Sequence, residues 1–180
     1  MNLTESFGLG IKISNIKTLS FVVDDTGLAA TDLIRMDFNH MINLSISENF
    51  VVFTLMTTFV VVEGDNERMV LDCAIQNVFE VDDLKQYANE KELKLELPPT
   101  ITISMVGLAI SHARAIISGL TKGTNLQGFI IPIVDPVKTA AAFFPEKNPL
   151  IIGKETPQNI ESIELAPNYT QKIKSKKATR

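Results

Sequence analysis

An α+β fold is what this sequence predicts: a four-stranded antiparallel sheet packed by one long helix and a short second helix. Three observations carry the prediction. Segments between residues 11 and 81 place apolar side chains at the period of two that a half-buried strand requires, and short polar loops join them. Apolar residues between Thr102 and Leu120 then recur at helical spacing, in two stripes rather than one. Finally, Asp135-Pro136 offers a capping carboxylate with proline at the first helical position, the start signal of a second helix.

Taken in order, Ile11, Ile13, Leu19, Phe21 and Val23 alternate with Lys12, Ser14, Thr18 and Ser20, which predicts a first strand with one buried face. Asp24 to Ala30 reads as a loop. Ile34, Met36, Phe38, His40, Ile42, Leu44 and Ile46 alternate with Arg35, Asp37, Asn39 and Asn43, the clearest strand pattern in the chain. Phe50 to Glu63 is β-branched and aromatic on both faces, as in a central strand. After a tight turn at Gly64, Met69, Leu71, Cys73, Ile75, Phe79 and Val81 give the fourth strand. Loops this short favour an antiparallel meander, since parallel neighbours need long crossovers.

From Asp82 to Pro99 the chain turns charged, dotted with Leu84, Tyr87, Leu93, Leu95 and Leu97, and reads as a crossover that is helical at its start. The long helix follows and stops near Lys122, where Gly123 is placed for the left-handed conformation that ends helices. Its circumference is apolar over more than one face, with Met105, Ile110, Ala113 and Ile117 among the residues a partner subunit would cover. One sheet cannot cover two faces, so a homo-oligomer is expected. Phe129 to Val134 is extended, and the second helix runs to Pro145. Beyond Glu146, scattered prolines and a basic end (Lys172, Lys174, Lys176, Lys177, Arg180) predict a flexible tail, dividing the chain into a domain over 1–145 and a tail over 146–180.

The 180 residues suit one domain of ordinary size. A net charge of -4 and the absence of Trp argue against a nucleic-acid partner. No basic start followed by an apolar run marks export, so a cytoplasmic location is expected. No uninterrupted apolar run approaches the roughly 18 residues of a membrane span. Cys73 is the sole cysteine and is read as a small core residue. His40 and His112 lie on apolar faces, too few and too scattered for a metal site, and read as satisfied core or interface histidines. Ser111 and His112 are adjacent on a helix and point apart, so they form no nucleophile and base. No cofactor is expected, and the chain is not expected to be an enzyme.

Together, Ala113-Arg114, Ser118-Gly119, Gly123-Thr124, and the stretch from Asn125-Leu126 through Pro132 to Val134-Asp135 resemble the long helix and following turn of the SecB-type protein-export chaperones and their SecB-like superfamily. The resemblance spans about Lys12 to Phe144. It implies four antiparallel strands, a crossover, a long helix, a turn and a second helix, assembled as a dimer of dimers (a homotetramer) with the long helices at the interface. It also implies a groove for unfolded or precursor polypeptides, lined here by Ile42 and Leu44 on the second strand, Leu84, Tyr87, Leu93, Leu95 and Leu97 in the crossover, and Phe143 and Phe144 on the second helix. An export ATPase is a further partner in the family, an implication the long basic tail weakens. Relatives that guard a partner such as an antitoxin offer a second setting.

The expected function is therefore an ATP-independent holdase for non-native polypeptides. The alternatives are a carrier of a small apolar ligand, which needs an enclosed cavity, and a purely structural assembly protein.

Overall fold

The computed structural model describes residues 10–29, 32–45, 48–63, 65–89, 94–144, 150–151 and 158–159. Four long strands, β1 (Ile11–Val23), β2 (Ile34–Ser45), β3 (Phe50–Glu63) and β4 (Asn66–Val81), form an antiparallel sheet. A 3-10 turn at Leu84–Tyr87 follows, then two short strands, β5 (Ala88–Asn89) and β6 (Lys94–Leu95). The long helix α1 (Pro99–Leu120) and the short helix α2 (Pro136–Phe143) complete the predicted set. This is the element order that the resemblance implies.

The strand order is β1-β4-β3-β2, which departs from a simple meander. β2, β3 and β4 do meander, but β1 pairs with the far side of β4. The 24–33 connection therefore crosses two intervening strands, roughly 14 Å at ordinary strand spacing, a distance that ten residues span easily. β3 is central, as its two-faced apolar composition predicted.

One face of the sheet is dry. Met36, Phe38 and Ile42 of β2, Val51, Phe53, Leu55, Phe59 and Val61 of β3, and Leu71, Cys73, Ile75, Phe79 and Val81 of β4 are buried there, at the alternate positions the pleat dictates. α1 lies against β3 and β4 and contributes Ile101, Met105, Val106, Ala109, Ile110, Ala113 and Ile117 to the same core. By length and composition α1 could cross a bilayer, contrary to the reading of the sequence, but those buried residues mark it as the core helix of this sheet.

β1 has no fully buried residue and is exposed over most of its length, where a half-buried strand was expected. Register irregularities between Ile13 and Asn15 and between Thr18 and Ser20 break its period of two. Ile13 and Ile16, although they sit opposite the buried Phe79 and Asn77, reach solvent because α1 packs mainly on β3 and β4, and Leu19 and Val22 are exposed as well.

The second neighbour of α1, expected from a partner subunit, comes in large part from the chain itself. Leu126 and Ile131 of the α1–α2 connection and Ala140 and Phe143 of α2 are buried in the same cluster. Met105, Ile110, Ala113 and Ile117 are all essentially inaccessible within the subunit, so this face is not a surface for a second copy. The side of α1 that does reach solvent carries Ser111, Ala115 and Ser118 instead. Beyond residue 145 two short strands are described: β7 (Leu150–Ile151) pairs with β6, and β8 (Gln158–Asn159) pairs with β2. The basic end lies outside the described residues.

Candidate functional site

α2 begins as its sequence dictates. Asp135 accepts hydrogen bonds from the amides of Val137 (2.9 Å) and Lys138 (3.4 Å), and Pro136 occupies the first turn. That start places Phe143 and Phe144 over β2. His40 stacks on Phe143 with ring centroids 4.5 Å apart and on Phe53 at 5.7 Å, with Phe144 tilted against it. Burial in this aromatic pocket pushes the His40 imidazole down to about 4. Its Nδ1 finds no hydrogen-bond partner among the described residues, so His40 is not the satisfied core histidine the sequence suggested. His112 is: its Nδ1 sits 2.6 Å from Oδ1 of the fully buried Asn77, tying α1 to β4.

The residues assigned to a client groove divide into two groups. Ile42, Leu84, Leu95 and Phe143 are buried and belong to the core, while Tyr87, Leu97 and Phe144 are half-buried and pack against it. Leu93 and the side chain of Leu44 lie outside the described residues. The first group is thus removed from an open lining, because the 3-10 turn carries Leu84 inward and α2 closes over β2. Beside Tyr87 the surface dips into an open depression of about 280 Å³, lined also by Gln86, Ala88, Asn89 and Glu96.

Exposed apolar surface lies elsewhere. Between the end of α1 and α2, Phe129, Ile130, Ile133 and Val137 stand in solvent, Ile133 at 92% of its full exposure. The backbone of this connection is held from below. Arg114 of α1 donates from Nε to the Ile131 carbonyl and from Nη2 to the Pro132 carbonyl, both at 2.7 Å. At its start, the Asn125 amide donates to the Asp25 carboxylate, and the Asn125 side-chain amide donates to the Asp25 carbonyl, anchoring the turn to the β1–β2 loop. Ile131 points into the core while Ile130 and Ile133 point out, so the segment is fixed with its apolar residues displayed. Neither this surface nor the exposed row on β1 was among the residues assigned from sequence. The available signal was the run Phe129-Ile-Ile-Pro-Ile-Val134, where Pro132 lacks the amide that a ladder needs and so discourages strand pairing.

A third feature is the pairing of the chain's own later segments with two edges. Lys94 and Leu95 of β6 pair antiparallel with Ile151 and Leu150, and Asn39 and His40 of β2 pair with Asn159 and Gln158. The β2 site adjoins the His40 and Phe143 stack.

No protein-family model and no curated protein sequence matches the chain. Among solved structures, the chain is similar to the SecB-like chaperone Rv1957 of Mycobacterium tuberculosis, solved in complex with a ChAD peptide from the Rv1956 HigA1 antitoxin. The two share 12% identity over 69% of this chain and 90% of the other, with a TM-score of 0.48.

Proposed function

We propose that this protein binds non-native polypeptide without nucleotide, acting as a holdase, and that it does so as a homo-oligomer in the cytoplasm. The observation that carries the reading is the α1–α2 connection. Phe129, Ile130, Ile133 and Val137 are displayed to solvent on a backbone that Arg114 and Asp25 hold in place. Apolar groups fixed outward on an open surface suit a macromolecular partner, because a small apolar ligand needs walls that enclose it. The depression at Tyr87 is open, and Gln86, Asn89 and Glu96 make its lining polar, which disfavours it as an apolar carrier site.

Assembly is proposed from β1. It is an edge strand of 13 residues with one side unpaired among the described residues, and Ile16, Leu19 and Val22 are exposed along it. A long edge left open, with apolar residues exposed along it, invites pairing with another strand, and a second copy of the chain would cover it. The client class is unfolded or precursor polypeptide. Export and the protection of one dedicated partner are two settings in which the same surface would serve.

Light scattering of a thermally aggregating client, with and without a several-fold excess of the protein and no added nucleotide, tests the reading. Suppressed scattering is the expected result. Unchanged scattering across several unrelated clients would remove the holdase and leave a structural assembly protein.

A further inference from the structure

Resting on the polypeptide-binding reading, we infer that β7 and β8 are a built-in competitor for the client, which binds by strand addition to the edges of β6 and β2 that these two strands cover. The observation is positional. One stretch of chain touches the body as a strand twice, first at Lys94 and Leu95, then at Asn39 and His40. Six residues separate the two contacts, so both sites fall within about 25 Å of extended chain. A single extended client segment could therefore reach both. The chain's own sequence states the chemistry the sites accept: a short branched apolar run, Leu150-Ile151-Ile152, followed after a polar spacer by Pro157-Gln158-Asn159.

Its hold on β2 is partial. Of the twelve residues of β2, only Asn39 and His40 are paired on the side away from β3, leaving the remainder of that edge open among the described residues. β6 is only two residues long, and both pair with β7. At the β2 contact, Asn39 Oδ1 and His40 Nδ1 are buried with no hydrogen-bond partner among the described residues. An incoming strand that paired along more of β2, or that supplied a donor to Asn39, would form more backbone hydrogen bonds than it displaced. The segment is tethered and so always present at high local concentration, which sets a threshold that weakly pairing chains do not cross. Folded proteins, whose strands are already paired, would be refused. Extended non-native chains would be accepted.

A reversible lock on the full-length chain tests this. Ile151 faces Lys94 across the β6–β7 pair, and directly opposed antiparallel residues are close enough for a disulfide. The double variant Lys94→Cys with Ile151→Cys, oxidised, holds the segment in place; Cys73 is fully buried and stays out of the reaction. Affinity is read by fluorescence anisotropy with labelled reduced, carboxymethylated α-lactalbumin, a permanently non-native chain. The oxidised protein should bind at least tenfold more weakly than the same protein after dithiothreitol. In the opposite direction, Ile151→Pro, which deletes an amide the pairing can use, should bind severalfold more tightly than wild type. A free peptide of residues 148–159 should compete with the client. Equal affinity in the oxidised and reduced forms, with the client still bound, would overturn the inference and leave the holdase reading standing. Failure of every form to bind the client would overturn both.

Discussion

His40 shows what one buried side chain does to the whole fold. Packed among the rings of Phe53, Phe143 and Phe144, it is neutral in the native state and pushed down to about 4, against an ordinary value near 6.5. Its pKa is lower folded than unfolded, so its contribution is complete above pH 6.5 and is lost progressively as pH falls from about 6.5 towards 4. The loss is on the order of 2–3 kcal/mol. Urea unfolding at pH 7 and pH 4.5 should show this decline, and His40→Phe should flatten it; an equally steep decline in the variant would assign it to carboxylates. Gly107 lies inside α1, where a methyl group would meet Pro136 Cβ at an ordinary 3.5 Å. Gly107→Ala should therefore raise stability by roughly 0.5–1 kcal/mol through helix propensity, read as a higher thermal midpoint. Ala113 is the counter-case. Being fully buried against the subunit's own core, Ala113→Glu should unfold the protein instead of separating intact subunits, by at least a few kcal/mol, and circular dichroism distinguishes the two.

At the scale of elements, the α1–α2 connection is fixed by α1 and not by pairing of its own. Arg114 satisfies two of its carbonyls with charge-assisted hydrogen bonds. Arg114→Met should cost about 1.5–3 kcal/mol and speed amide exchange in residues 129–134, while exchange in β3 changes less. Ile133, by contrast, touches little. The pair Ile130→Asp and Ile133→Asp should leave the thermal midpoint within about 1 kcal/mol of wild type, since exposed positions seldom contribute more. If the displayed side chains hold clients, suppression of aggregation should fall severalfold. Full retention of suppression would move the client surface to the β2 and β6 edges alone.

For the whole molecule, the sheet has two unlike edges. β1 is long and bulged, with Ile13, Ile16, Leu19 and Val22 exposed among polar residues, while β2 carries a two-residue cover from β8. Lys12 already places a charge on β1, where it pairs with Glu80 at 2.7 Å, but the middle of the strand has Ile16 and Leu19 instead. Leu19→Lys at this edge should leave the fold intact and shift the assembly towards smaller species, measured by light scattering coupled to gel filtration. An unchanged mass would place the contact on another face, with the solvent-facing side of α1 the next candidate.

The sequence by itself determined the four long strands and the two helices. Period-two and helical spacing, a capping aspartate before a proline, and glycine beyond a helix end are local properties, and each placed a strand or helix within a few residues of its observed bounds. Tertiary structure decided everything that depends on which element meets which. Alternation could not show that β1 crosses to the far side of β4, nor that α1 packs mainly on β3 and β4 and leaves Ile13 and Ile16 of β1 in solvent. The helix pattern likewise showed that α1 is apolar on more than one side, but not that the chain's own connection and α2 cover the second. For the same reason Leu84, Leu95 and Phe143 read as a groove from sequence and are core in the fold, while Ile130 and Ile133 read as an unremarked extended run and are the exposed ones. Hydrophobicity fixes that a side chain seeks cover; only long-range packing fixes whether it finds it.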